Sequence, residues 1–149
     1  MVIVLSDEKK IKVGLSLEEE MIFKCDLGQI KMQDLYIDEK NKREAEKIGP
    51  NPSRLLALAV LGCLTASFTF CMGKKDLKVG DLDGKAEVIL KRSNKGFWRV
   101  KRINVTINPK IDDPIMRKRA DQCRKMFEQY CIVTQSVRNG IEVNVDLDY

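Results

Sequence analysis

The sequence predicts an α+β fold in which antiparallel sheets surround one long buried central helix. Three observations carry that prediction. The run from Leu55 to Met72 holds no charged residue and is closed by Arg54 on one side and by Lys74 and Lys75 on the other. Short segments of strand-like alternation lie on both sides of it, ending in "IEVNVDLDY". Between them, "DDPIMRKRADQCRKMFEQY" repeats its apolar residues at helical spacing. A chain of 149 residues with 44% hydrophobic and 33% charged residues suits one globular domain over residues 1–149.

In order, "KIKVGL", "MIFKCDL" and "IKMQDLYI" are short apolar or alternating pieces separated by "SLEEE" and Gly28, and they predict two or three strands with a hairpin within residues 1–38. Residues 38–50 read as an exposed, mixed-charge connection, a loop or short helix, ending in "GPNP", where two prolines and a glycine stop any helix or central strand. Ser53 can start the central helix. No proline interrupts until Gly73, so a helix is expected over 53–72 with the lysines at its C-terminal end.

"AEVILKR" and "GFWRVKRINVTINPKI" predict antiparallel strands over 85–110. A helix over 114–129 follows, with Asp113 as its cap, Pro114 at its first position and Met116, Ala120, Cys123, Phe127 and Tyr130 along one side. A shorter helix over 131–138 ends at Asn139-Gly140. The last strand, 141–147, sets Ile141, Val143, Val145 and Leu147 against Glu142, Asn144, Asp146 and Asp148.

Composition excludes several chemistries. Histidine is absent, which removes Ser-His-Asp and Cys-His activation and the commonest zinc ligand. Basic residues outnumber acidic ones by 27 to 22, a net charge of +5, but they are scattered through segments such as "DEKNKREAEK". Nucleic acid is not an expected partner. Trp98 amid "KGFWRVKR" is the one stretch suggesting it, and a strand with Lys and Arg on its wet face has the same letters.

The five cysteines, Cys25, Cys63, Cys71, Cys123 and Cys131, include no Cys-x-x-Cys pair, so no metal and no organic cofactor is expected. "MVIVLSDEKK" turns charged too early for a secretory signal, and the expected location is the reducing cytoplasm. Cys25, Cys71 and Cys123 read as small buried apolar residues. The uncharged run is at the lower limit for crossing a hydrocarbon core of about 30 Å. Its second half, "GCLTASFTFC", is rich in Gly, Ser, Thr and Cys, and the flanking strands need a layer to pack on. A domain centre or a subunit interface is therefore expected for this helix, and no membrane.

Two stretches carry a resemblance. "GPNPSRLLALAVLGC" resembles the start of the central helix in the OsmC/Ohr family of osmotically inducible and organic-hydroperoxide-resistance proteins, in its OsmC-like branch. "FEQYCIVTQSV", followed by the closing strand, is similar to the family's second cysteine at the opening of a late helix. The order of elements matches over nearly the whole chain. The resemblance implies an OsmC-like fold and an intertwined homodimer with paired cysteines near the subunit interface. It implies thiol-dependent reduction of organic hydroperoxides, with Cys63 peroxidatic, Cys131 resolving, and an external dithiol as reductant. In that chemistry a thiolate attacks the peroxide, releases an alcohol and leaves a sulfenic acid, which condenses with a second thiol to a disulfide.

Geometry excludes one pairing without the resemblance. Cys63 and Cys71 on one straight helix lie about 12 Å apart along its axis, beyond the roughly 4.4–6.8 Å between Cα atoms that a disulfide needs. Cys131 begins a helix, where unpaired amides favour a thiolate. Cys63 is mid-helix and needs a cation. The hydroperoxide-reducing members place a glutamate early in the central helix and an arginine in the early strands. Here Ser53 and Arg54 occupy the acid's positions, and no arginine precedes Arg43. Arg54 is a possible accessory residue, but about 13.5 Å separates it from Cys63 along the helix axis, so only a partner subunit could deliver it. These departures leave a second expectation open: a catalytically altered dimer that binds an apolar ligand or senses redox state.

Overall fold

The computed structural model describes residues 8–30, 32–40 and 48–149. The chain forms two compact units, Met1–Pro52 and Ser53–Tyr149.

The first unit is an antiparallel meander of β1 (Gly14–Glu19), β2 (Ile22–Asp26) and β3 (Tyr36–Asp38), in the order β1-β2-β3. β1 starts later than the expected "KIKVGL" and takes in the acidic "SLEE". An edge strand tolerates that, because one of its sides faces water and charge discourages further pairing. Met21, at φ 57°, turns the chain between β1 and β2. Ile22 is the buried apolar residue here, and beside it in the ladder stands the buried Asp38.

That carboxylate corrects the reading of 38–50 as wholly exposed. Asp38 accepts hydrogen bonds from the amides of Lys40 (3.1 Å) and Ile48 (3.2 Å), while its own amide donates to the Pro50 carbonyl (3.2 Å). It is buried because these bonds replace its water. Residue 49 must be glycine, since a Cβ there would collide with the Tyr36 carbonyl. The connection's interior, 41–47, is outside the described residues.

The second unit is built on α1 (Pro52–Gly73). β4 (Leu82–Arg92) and β5 (Trp98–Pro109) form an antiparallel hairpin, followed by α2 (Pro114–Arg124), a 3-10 helix (Phe127–Tyr130) and α3 (Ile132–Asn139). Ala57, Val60, Leu64, Ser67, Phe68, Cys71 and Met72 recur every three or four residues and form the buried side of α1. It is long and apolar enough to cross a membrane. Its buried side packs on the hairpin and the later helices, while Leu58 and Phe70 remain exposed. Gly84 lets the helix approach β4: a Cβ there would sit 3.0 Å from Leu61 Cδ1 and 3.2 Å from the Thr106 carbonyl.

The expected helix over 114–129 is shorter. Asp113 caps α2 by accepting from the Ile115 amide (2.9 Å), as its sequence indicates. At the other end the Lys125 amide turns back to the Gln122 carbonyl, tightening the last turn, and a 3-10 helix replaces the continuation. Arg119 of α2 donates to the Cys71 carbonyl at the end of α1 (2.8 Å), where a cation meets the negative end of the helix.

The expected strand over 141–147 is absent from the secondary structure of the described residues. Ile141, Val143, Val145 and Leu147 are all exposed. A strand exists through its hydrogen-bonded neighbour, and the alternation there has none among the described residues.

Candidate active site

Two sequence-predicted residues come together. Cys63, halfway along α1, and Cys131, at the start of α3, share one apolar cluster with the buried Val60 and Leu64 and with Ile103, Val105 and Ile107 of β5. Both are free thiols, Cys131 fully buried and Cys63 half-buried. Cys131 is the N-cap of α3: its sulfur accepts from the Thr134 amide (3.3 Å) and lies 3.0 Å from the Thr134 hydroxyl. Gln135 of α3 donates to the Glu128 carbonyl (3.1 Å), tying this helix start to the 3-10 helix before it.

The two thiols titrate in opposite directions. Burial pushes the Cys63 thiol up, its hydrogen bond to Cys131 adds to that, and the amides of Val133 and Ile132 only partly oppose it. Burial would push Cys131 up as well. There it is outweighed by hydrogen bonds from Cys63, from the Thr134 hydroxyl and from the amides of Thr134 and Val133, and the thiol is brought down. When the pair holds one proton, that proton belongs on Cys63 and the thiolate on Cys131. The acidic sulfur is thus the buried one, and the sulfur that solvent can reach is the less acidic.

Arg54 lies in the first turn of α1 with its side chain exposed, nine positions before Cys63 in the same helix. Among the described residues, no arginine is one of the groups that shift either thiol. Arg43 is outside the described residues. Thr134 escaped the sequence reading, although a threonine three residues after a helix-opening cysteine repeats the spacing by which caps bond the third helical amide.

The larger omission is a bond. Cys71 near the end of α1 and Cys123 near the end of α2 form a disulfide, with Cα atoms 5.8 Å apart and both residues fully buried. They are buried as expected, but as a cross-link rather than as two thiols, because α2 crosses α1 at Phe68, Cys71 and Met72. Cys25 is half-buried in β2 and free, not a core residue.

Two hollows flank the thiol cluster. One, of about 240 Å³, is walled by Leu64, Phe68, Val105, Ile107 and Phe127, with Arg124 and Glu128 at its edge. Neither thiol lines it. The other is an open cleft of about 630 Å³ that reaches Val60, Leu64 and Thr134 and carries Lys101, Arg102 and Arg138. It leads closer to the chemistry, since Thr134 touches the Cys131 sulfur. Among the described residues, no group of three or more Cys, Asp or Glu side chains is placed to hold a metal ion.

A family model described as OsmC-like protein matches residues 43–146. No curated protein matches the sequence. Solved structures share the fold at low identity. An OsmC-like protein of unknown function from Vibrio cholerae superposes with a TM-score of 0.66 at 10% identity, covering 87% of this chain and 94% of that one. The OsmC-like protein from Mycoplasma pneumoniae gives 0.63 at 17%, covering 88% and 89%. The organic hydroperoxide resistance protein OhrB of Bacillus subtilis gives 0.61 at 21%, covering 94% and 98%.

Proposed function

We propose that this chain, which belongs to the OsmC-like protein family, is a cysteine-based reductase of organic hydroperoxides. The observation that carries the reading is the Cys63 and Cys131 pair, two free thiols in one apolar cluster with one of them stabilised as a thiolate at a helix start. Cys63, the accessible sulfur, passes its proton to the neighbouring Cys131 thiolate as it attacks the distal peroxide oxygen, and Cys131 returns that proton to the leaving alkoxide. The O–O bond breaks, the alkoxide takes a proton and leaves as alcohol, and Cys63 becomes a sulfenic acid. The Cys131 thiolate then attacks the Cys63 sulfur and displaces hydroxide, which leaves as water after protonation. The sum is two thiols and one hydroperoxide giving a disulfide, an alcohol and water. A dithiol in the cytoplasm returns the pair to its reduced state.

The division of labour follows from the two environments. A resolving thiol must be ionised when the sulfenic acid appears, which the Thr134 and amide hydrogen bonds to Cys131 favour. The apolar walls around the pair favour a hydrocarbon-bearing peroxide over a strongly hydrated one. We further propose a homodimer, supported by the exposed Leu58 and Phe70 on α1 and by the unpaired alternation of 141–147, both of which a second copy would cover.

The test is turnover. Protein with Cys63 and Cys131 reduced should consume cumene hydroperoxide in the presence of a dithiol, and Cys63→Ser should lose on the order of a thousandfold or more in rate, as nucleophile removal does. Cys131→Ser should stop after one oxidation and hold a trappable sulfenic acid at Cys63. Equal turnover in wild type and Cys63→Ser rejects this assignment. The raised Cys63 thiol supports a second reading, a ligand-binding or redox-sensing relative. That reading gains if turnover is absent while a fatty ligand raises the melting temperature.

A further inference from the structure

We infer that Cys71 and Cys123 are a second peroxide-reactive pair, in which Arg119 makes Cys71 the nucleophile and a small peroxide closes the bond that staples α1 to α2. The inference does not rest on the roles of Cys63 and Cys131. It starts from the Arg119 guanidinium. Nη2 donates to the Cys71 carbonyl (2.8 Å) and lies 3.6 Å from the Cys71 sulfur, and Nη1 reaches the Gln122 side chain (3.2 Å). Nε is buried and has no partner. None of the ion pairs among the described residues includes Arg119. A cation with unused hydrogen-bonding capacity is poorly satisfied beside a neutral disulfide. It is well matched to a thiolate.

The two sulfurs otherwise stand alike. Cys71 is in the last turn of α1 and Cys123 in the last turn of α2, and both are fully buried. There the backbone presents carbonyls, which disfavour a thiolate. Cys71 has a cation beside it to offset them, so it is the thiol of the reduced pair that ionises. Arg119 stands four residues before Cys123 on α2, and that spacing puts the cation and the second thiol on one side of the same helix. With its Cα atom 5.8 Å from that of Cys71, Cys123 is within reach for condensation.

In the reduced protein the Cys71 thiolate attacks one peroxide oxygen. The O–O bond breaks, the leaving oxygen takes up the proton that Cys71 released, and Cys71 becomes a sulfenic acid. Cys123 then attacks the Cys71 sulfur and displaces hydroxide, which its own proton converts to water. Two thiols and one hydroperoxide thus give a disulfide, an alcohol and a water, or two waters where the oxidant is hydrogen peroxide. Phe68, Met72, Met116, Ala120 and Phe127 pack around the pair, so the suitable oxidant is small and uncharged. Glutathione disulfide is neither. Closing joins residues 52 apart and constrains the unfolded chain, so exposure to peroxide raises the stability of the fold. The guanidinium also acts in reverse: by favouring the thiolate it makes Cys71 the better leaving group and raises the reduction potential of the pair.

The test uses the full chain carrying Cys63→Ser and Cys131→Ser, reduced and freed of dithiol, so that the other pair contributes nothing. Hydrogen peroxide should link Cys71 to Cys123 in peptide maps and raise the melting temperature. Glutathione disulfide should do so far more slowly. Adding Arg119→Met should slow closing several-fold and lower the midpoint potential by about 30 mV, a tenfold change for a two-electron couple. Arg119→Lys should restore part of both. An arginine that only supports the fold would change the melting temperature and leave the potential alone. Independently of the Arg119 variants, Cys123→Ser should hold a trappable sulfenic acid at Cys71, and Cys71→Ser should hold none at Cys123. Three results would each overturn the inference: a pair that peroxide leaves reduced in the chain lacking Cys63 and Cys131, a sulfenic acid at Cys123 rather than Cys71, or an Arg119→Met chain with unchanged closing rate and potential.

Discussion

Two cysteine pairs join α1 to the helices that follow it, and they differ in nearly every physical respect. Cys71 and Cys123 are sealed in the core against Phe68 and Met72 and are covalently bonded. Cys63 and Cys131, two turns nearer the start of the same helix, are free, one of them half-open, and held by hydrogen bonds. Both settings are apolar. What separates them is a helix start. Cys131 is an N-cap and so receives amides that favour its thiolate, whereas Cys123 is near the end of α2, where the backbone offers carbonyls that disfavour one. A burial scale cannot separate a structural pair from a reactive one. The polarity of the helix end beside it can.

The largest effect that would break this contrast is loss of the buried cross-link. Its partners are 52 residues apart, and loop-closure entropy for that separation is worth about 4 kcal/mol. The double variant Cys71→Ala, Cys123→Ala should lose that much in urea unfolding, while peroxide turnover well below the melting temperature stays as in wild type. A loss below about 1 kcal/mol would mean that the pair contributes as two buried side chains only. A dithiol under native conditions should open a Cys63–Cys131 disulfide long before it reaches Cys71–Cys123.

The helix starts sharpen the contrast at a smaller scale. α2 is capped by the Asp113 carboxylate and α3 by the Cys131 sulfur. Asp113→Ala should cost about 1 kcal/mol in stability, the usual value for a lost cap, and leave the alkylation rates of Cys63 and Cys131 unaltered. A change in those rates would show that the two helix starts are mechanically linked.

Much of this was legible in the letters, and what was hidden had a common cause. The central helix, the β4–β5 hairpin and the Asp113 cap follow from local signals: an unbroken apolar run after Pro52, alternation around Val105, and Asp113-Pro114. The nearness of Cys63 and Cys131 and the Cys71–Cys123 bond are tertiary facts. Nothing in the spacing of five cysteines says which α-helix crosses α1 at Cys71. The strand of 141–147 failed for the complementary reason. Its alternation is real, but it specifies a face to be covered, and the cover is not among the described residues. Asp38 was hidden because its partners, the amides of Lys40 and Ile48, are on either side of a connection with no pattern of its own.

The smallest effect tests the polarity argument itself. Thr134→Val removes the hydroxyl beside the Cys131 sulfur and leaves the amide bond in place. It should cost stability by about 1 kcal/mol or less and move the alkylation profile of Cys131 toward higher pH. The sign is fixed by linkage. Cys131 is depressed in the fold, so the stability it contributes is full above the ordinary thiol range and is lost as pH falls through its lowered value. Cys63 is raised, so its contribution is full below that range and is lost as pH climbs through its higher value. Stability of the reduced pair should therefore rise with pH until the ordinary thiol range and decline beyond it. In Thr134→Val the rising limb should flatten and the declining limb remain. A rising limb that survives the substitution intact would assign the acidity of Cys131 to the backbone amides alone.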